Sequence, residues 1–527
     1  MAALRIELIE EFRERLAAMA TDLCRRLPAC RYLDIRLEVR EGQRASAEDG
    51  HLRASGREAA AALGVRVIAG DGVPAPGYVG RTLAPDDLPH LPRLLRAASR
   101  RAHARAAASA AGKAAIRRAL PRLARTLADL PLAPIPVRRD TVPAAFRLDP
   151  REVPLQAVAA LALETSRSLK GQHPALVHNA IHLLTERTRH CFASSEGACL
   201  DQDQALTQGW VTVVAERDGV SEELSDALGH PAGWEVLTDG VSTSYTAFPP
   251  LPAFASGLAA DALALAAAPP CPTTEGEVVV VTDPHYNALL CHEIVGHPCE
   301  ADRALKMETA YAGRSWLLRD LERHRLGEPV ASPLLTAYSD PALPGYGQYR
   351  YDHEGTPGCK ALHIEGGLFR GFLHSRQTAA LLRAEPNGAY TATGADLVPL
   401  VRMNNTLFAP GTSDPARILA EVDEGYYLAG HRTPSIAESR EQFRISAVKV
   451  YEIHRGELGR LYRDGGLAAG SQAFLTAVDA VGSDLRLFPI PNCGKGQPMQ
   501  TKRVGNGAPT LRSRARLVGG ADGGRGG

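Results

Sequence analysis

The sequence predicts an α+β protein, an N-terminal α/β domain with long helices followed by a mainly antiparallel, barrel-like β domain that carries the chemistry. Three observations support this. Alanine- and arginine-rich stretches with helical spacing fill much of the first half. Short apolar runs punctuated by Asn, Gly and Asp fill the second, as hairpins require. An Ala- and Pro-rich segment at 238–272 lies between them. The 527 residues exceed one ordinary core, so domains at 1–245 and 246–517 are expected, with a glycine-rich disordered tail at 518–527.

In the first half, residues 3–26 read as an amphipathic helix, with strands at 34–39 and 65–68. Helices are expected over 88–128, near 154–169 and near 174–189. Ten Lys or Arg and no acid lie between Asp87 and Asp129. That run carries no interleaved aromatics for base stacking, and its leucines and alanines recur at helical spacing. A solvated helix face is therefore expected and a nucleic-acid partner is not. In the second half, strands are expected at 277–282, 360–365, 401–408, 443–452 and 456–463.

The hydrophobic fraction of 45%, charged fraction of 23% and net charge of +1 are those of a globular protein with no general call for an acidic partner. No run reaches the ~18 uncharged apolar residues of a membrane span, and the start has no signal-peptide pattern. Nine cysteines, an odd number, read as reduced thiols rather than a disulfide framework. A cytoplasmic protein is expected.

The informative segment is EGEVVVVTDPHYNALLCHEIVGHPCEADRAL, residues 275–305. A buried strand at Val278–Val281 leads to Asp283 as helix N-cap and Pro284 at the first helical position. The motif within the helix is H-E-x-x-x-H. Histidines four apart lie ~40° from alignment on a helix, but five apart they are ~140° apart and cannot chelate one ion. The expectation is that the helix ends at Gly296 in a left-handed conformation, so that His297 folds back toward His292. A zinc site also needs a third ligand. Cys493, in the glycine-bounded PNCGKGQ at 491–497, is one candidate, and Cys291 and Cys299 are others. Cys291 lies ~100° round the helix from His292, which favours the core.

HEIVGHPCEADRAL resembles the metal-binding segment of the TldD/PmbA family of zinc metallopeptidases, and NCGKGQPMQTKRVGNGAPTLR is similar to its C-terminal Cys-Gly-Lys motif. Between them, YDHEGTPG (351–358) and RMNNT (402–406) resemble family signatures in the same order, and GVRVIAGDGVPAPGYVG (64–80) looks like its N-terminal strand pair. The resemblance implies Zn²⁺ held by His292, His297 and Cys493, with Glu293 in catalysis. It also implies an extended or unfolded peptide substrate, possible modified precursors included, and a dimer with itself or with a metal-free paralogue. Glu300 and Asp302 read either as partners of a ligand histidine or as helix-start carboxylates. The competing functional readings are a zinc hydrolase of small non-peptide amides and a non-catalytic scaffold or regulator.

Overall fold

The computed structural model describes residues 4–120, 131–308, 313–318 and 324–520. The first half is organised by long strands: β1 (Cys30–Glu48), β2 (His51–Ala69), β3 (Ala75–Leu83), β4 (Arg139–Val142), β5 (Leu176–Ser194), β6 (Cys199–Arg217) and β7 (Val220–His230). They form one sheet in the order β3-β2-β1-β5-β6-β4, with β7 also on β6. All pairings are antiparallel except β4 with β6.

The strands expected at 34–39 and 65–68 are the buried parts of β1 and β2. Their outer reaches are polar or small, and residues 51–60 are exposed, so no apolar alternation marks them. The helix expected near 174–189 is instead β5. Asn179, Ile181, Leu183 and Thr185 are buried at every second position, the period of a half-buried strand.

Helices α1 (Leu8–Arg26), α2 (Leu91–Ala119), α3 (Leu155–Gln172) and α4 (Leu251–Ala266) cover this sheet. The arginine-rich α2 buries Leu91, Leu95, Ala98, Ala102, Ala106 and Ala110, a stripe at helical spacing. A Cβ on Gly77 of β3 would lie 2.0 Å from the Ala102 carbonyl, so small residues on both elements set that close approach. The part of the basic run at 121–130 lies outside the described residues. Inside the Ala- and Pro-rich stretch, α4 packs Leu251, Ala255 and Ala259 into one core with Val211 and Leu228.

The second half is a ring of strands with a second sheet against it. The relevant strands are β8 (Glu277–Thr282), β9 (Asn405–Phe408), β10 (Glu424–Ile436), β11 (Gln442–His454), β12 (Gly466–Gly470), β13 (Arg486–Lys495), β14 (Gln500–Ala508) and β15 (Leu511–Val518). Pairings run β8-β10-β11-β12-β15 and return from β15 to β8, closing the ring; only β8–β10 is parallel. This is the barrel-like, mainly antiparallel architecture expected. The adjoining sheet carries β9, β14 and β13 side by side. Helix α5 (Pro284–Cys291) follows β8 and buries Tyr286 and Leu290 with Leu428, Ile445 and Leu467. The Tyr286 hydroxyl donates to the Ile445 carbonyl at 2.9 Å, tying the helix to β11.

Val518 ends β15 and the Gly519 amide donates to Thr273 Oγ1 at 2.9 Å, so the chain is packed to that point. The remainder of the expected tail, 521–527, lies outside the described residues. Among the described residues no helix is long and apolar enough to cross a membrane.

Candidate metal centre

The site starts from the entry to α5. Asp283 caps it, accepting from the Tyr286 amide at 2.7 Å and from the Gly430 amide of β10 at 3.0 Å, with Pro284 at the first helical position. The cap therefore fixes both where the helix begins and how it sits against the barrel.

Its far end corrects the sequence expectation. The chain does not leave the helix at Gly296, which has φ −58° and ψ −58°. Residues His292–Gly296 instead form a π-helical turn in which the His297 amide bonds the His292 carbonyl. An i→i+5 turn is the wider turn that a five-residue spacing needs, and such turns are rare and often functional. The two imidazoles come together at 4.6 Å between centroids and 83° between planes. Gly296 is needed for space rather than for a positive φ: a Cβ there would lie 2.0 Å from Met403 Sδ. Gly296→Ala is thus expected to destabilise the protein by about 1–3 kcal/mol through overpacking. Adding Met403→Ala should recover part of that loss in denaturant unfolding; no recovery would contradict the steric explanation.

Cys493 arrives from β13, on the adjoining sheet. Its Sγ lies 3.7 Å from His297 Nε2, and one donor atom each from His292, His297 and Cys493 lie within 4.8 Å of one another. Zn–N of ~2.0 Å and Zn–S of ~2.3 Å in a tetrahedron put nitrogen and sulfur about 3.5 Å apart, so the spacing fits zinc. The other ring nitrogens are also placed for it. His292 Nδ1 meets Asn506 Oδ1 at 3.0 Å, and His297 Nδ1 meets Glu300 Oε2 at 3.1 Å. Such contacts direct Nε2 toward the metal position.

The electrostatics agree. Burial opposes ionisation of Cys493, but the two imidazoles and Arg402 hold its thiol well below the usual range. Burial likewise disfavours charge on His292, yet the thiolate beside it pushes the ring up to about 9. A thiolate and imidazoles that balance one another in this way are donors a cation can bridge. Cys291 and Cys299 are different. Both are fully buried in the core and burial pushes both thiols up.

Of the two acids, Glu300 meets a histidine ring, whereas Asp302 stands in the first turn of a short helix at 301–304 and reaches Lys495 rather than a histidine. Glu300 is fully buried, taking His297, Arg303 at 2.6 Å and Lys495 at 3.2 Å. Asp302 accepts from Lys495 at 2.6 Å and from the Val401 amide at 3.0 Å. Burial raises the Glu300 carboxyl, but Lys495, Arg303 and His297 outweigh it and hold it well below the usual range. Lys495, which bridges these two carboxylates, was not singled out from the sequence. It stands two residues from Cys493 on one strand, and that period-2 spacing was its available signal. Asn506 and Arg440 were missed as well.

Glu293 is 8% exposed and ion-paired with Arg440. Together with the two histidines and Cys493 it lines a cleft of about 890 Å³. The opposite walls are residues 223–227 of β7 and 429–434 around β10.

Residues 275–520 match the model of the PmbA/TldA metallopeptidase C-terminal domain. A metalloprotease of Methanocaldococcus jannaschii is 36% identical over 253 residues, covering 48% of this chain and 52% of that protein. A zinc metalloprotease TldD homolog of Saccharolobus solfataricus is 28% identical, covering 46% of this chain and 52% of that protein. The matches thus span about half the length of these curated relatives. The solved structure of TldE from Thermococcus kodakarensis shares the fold at a TM-score of 0.66 and 16% identity, over 96% of this chain and 99% of that one. Two of the sequence motifs meet on this cleft, and the half of the chain that carries them, residues 275–520, belongs to the PmbA/TldA metallopeptidase C-terminal domain family.

Proposed function

We propose that this protein is a zinc-dependent peptidase that hydrolyses extended or unfolded peptides, modified precursors among them. His292, His297 and Cys493 would hold the ion and Glu293 would act as general base. The observation that carries this reading is the convergence of two imidazoles and a thiol, within 4.8 Å, beside a buried glutamate at the wall of a large cleft. Zinc bound there would supply Lewis-acid polarisation of the scissile carbonyl. Glu293 takes the proton of the attacking water and returns it to the leaving amine. Arg440 holds the Glu293 carboxylate at the cleft wall through their ion pair. Among the described residues β7 is paired on one side only, so its edge can read a peptide backbone by strand addition.

Elemental analysis is expected to find about one zinc per chain. Cleavage of an unstructured peptide should stop with a chelator and return with zinc. Zinc-replete protein that leaves a peptide panel intact but hydrolyses small amides would replace the peptidase reading with a non-peptide hydrolase. A reducing compartment, the cytoplasm, suits the nine free cysteines.

The same reading includes a dimer, with a second copy or with a metal-free relative. It rests on family membership and on the fold shared with TldE. Light scattering at micromolar concentration, alone and with any such relative, is expected to give a dimer mass. A fully active monomer would remove this part.

A further inference from the structure

A second cavity, of about 340 Å³, lies behind the metal cleft between the N-terminal sheet and β13–β14, and Pro491 lines both spaces. Its floor is unusual in its unmet hydrogen bonds. Arg40 Nε, Glu186 Oε2, His190 Nε2, Thr391 Oγ1 and Lys502 Nζ are all buried with no hydrogen-bond partner among the described residues, and all five residues line this cavity. Glu186 and His190 are only 4% and 7% exposed. A buried polar atom without a partner costs about 1–3 kcal/mol. Five around one space therefore mark a place built for a polar occupant.

The charges say which kind. Glu186 is already paired with Arg503 at 3.0 Å and lies 3.6 Å from Arg40, which also holds Glu38 at 3.0 Å. Among the described residues Lys502 has no carboxylate in contact; its Nζ sits 4.7 Å from the centre of the Tyr349 ring. Aromatic rings form part of the remaining wall: Tyr346, Tyr349, Tyr351 and the stacked rings of His190 and His353, 4.4 Å apart.

We propose that this cavity binds the carboxy-terminal residue of a short peptide. The peptide's carboxylate lies on Lys502, with Arg40 Nε and Thr391 Oγ1 as further donors. Its last amide N–H is taken by Glu186 Oε2, and its side chain lies against the tyrosines. Lys502 is the cross-strand partner of Cys493, so the two Cα atoms are about 5 Å apart. A peptide end held here is next to the metal centre. The ligand class rests on the peptidase reading, while the site itself stands on the cavity and its unpaired groups.

The test is calorimetric and needs no turnover, so it separates this site from the proposed activity. N-acetyl-alanyl-phenylalanine and its carboxy-terminal amide are titrated into the zinc-loaded protein, with inorganic phosphate as a second anion. The free acid is expected to bind at least tenfold more tightly than the amide. Lys502→Gln should abolish that preference and Lys502→Arg should keep part of it. Equal binding of acid and amide by the unmutated protein would overturn the proposal, and that comparison stands even if a variant fails to fold. A preference that persists in Lys502→Gln would place the carboxylate on the metal instead and also overturn it. Phosphate displacing the free acid at equal concentration would reduce the site to one for any small anion and overturn the peptide assignment.

Discussion

Replacing Cys493 with alanine is expected to strip the protein of most of its zinc, with affinity falling by more than the ~10–100-fold typical of losing a partner behind a ligand. The sulfur is one of three donors that converge within 4.8 Å, and its thiol is the one near the site whose environment favours the ionised form a metal requires. Without it, two imidazoles would remain beside Arg402, Arg303 and Lys495, charges that repel a cation. Cys291→Ala and Cys299→Ala provide the contrast. Both thiols are fully buried among Leu290, Ile294 and Ala301, where burial keeps them protonated. Those variants should lose stability through small cavities while keeping full metal occupancy. Zinc is counted per folded chain in all three. Full occupancy in Cys493→Ala would remove this residue from the ligand set.

Local chemistry was readable in the sequence, and long-range geometry much less so. Asp283 and Pro284 announce the start of α5 because capping depends on neighbours in the chain. The five-residue spacing of His292 and His297 showed that a regular helix could not serve. It did not say which distortion would. A left-handed exit at Gly296 and a π turn both relieve the mismatch, and nothing local in the sequence separates them, while Met403, more than a hundred residues away, accounts for the glycine itself. The same limit explains β5. Its outer end, from Leu176 to Ala180, carries too little apolar alternation to distinguish strand from helix, and its pairing with β1 is a tertiary decision. Glu293 was legible from its place after His292, whereas Arg440 and Asn506 carry no motif spacing relative to Glu293 and His292, the residues they contact.

Glu293→Gln is expected to separate chemistry from metal binding. The two imidazole rings are held through Nδ1 by Asn506 and Glu300, while the Glu293 carboxylate is directed to Arg440 and the cleft. Removing its charge should therefore leave the three donors in place and the zinc content near one per chain. Peptide cleavage should nevertheless fall by about 10²–10⁴-fold, the contribution of a positioned acid–base group. The substitution also leaves the guanidinium of Arg440 beside a neutral amide, so some loss of unfolding stability is expected alongside it. Arg440→Gln removes the partner instead. It should retain more activity than Glu293→Gln, because the carboxylate that moves the proton is still present, though held less firmly. If Glu293 served only to orient a ligand, Glu293→Gln would lose zinc affinity by roughly 10–100-fold and recover turnover when zinc is added. Zinc content and cleavage rate measured on one sample decide between the two, since a fully loaded variant with near-normal turnover would leave the metal site standing and remove Glu293 as the base.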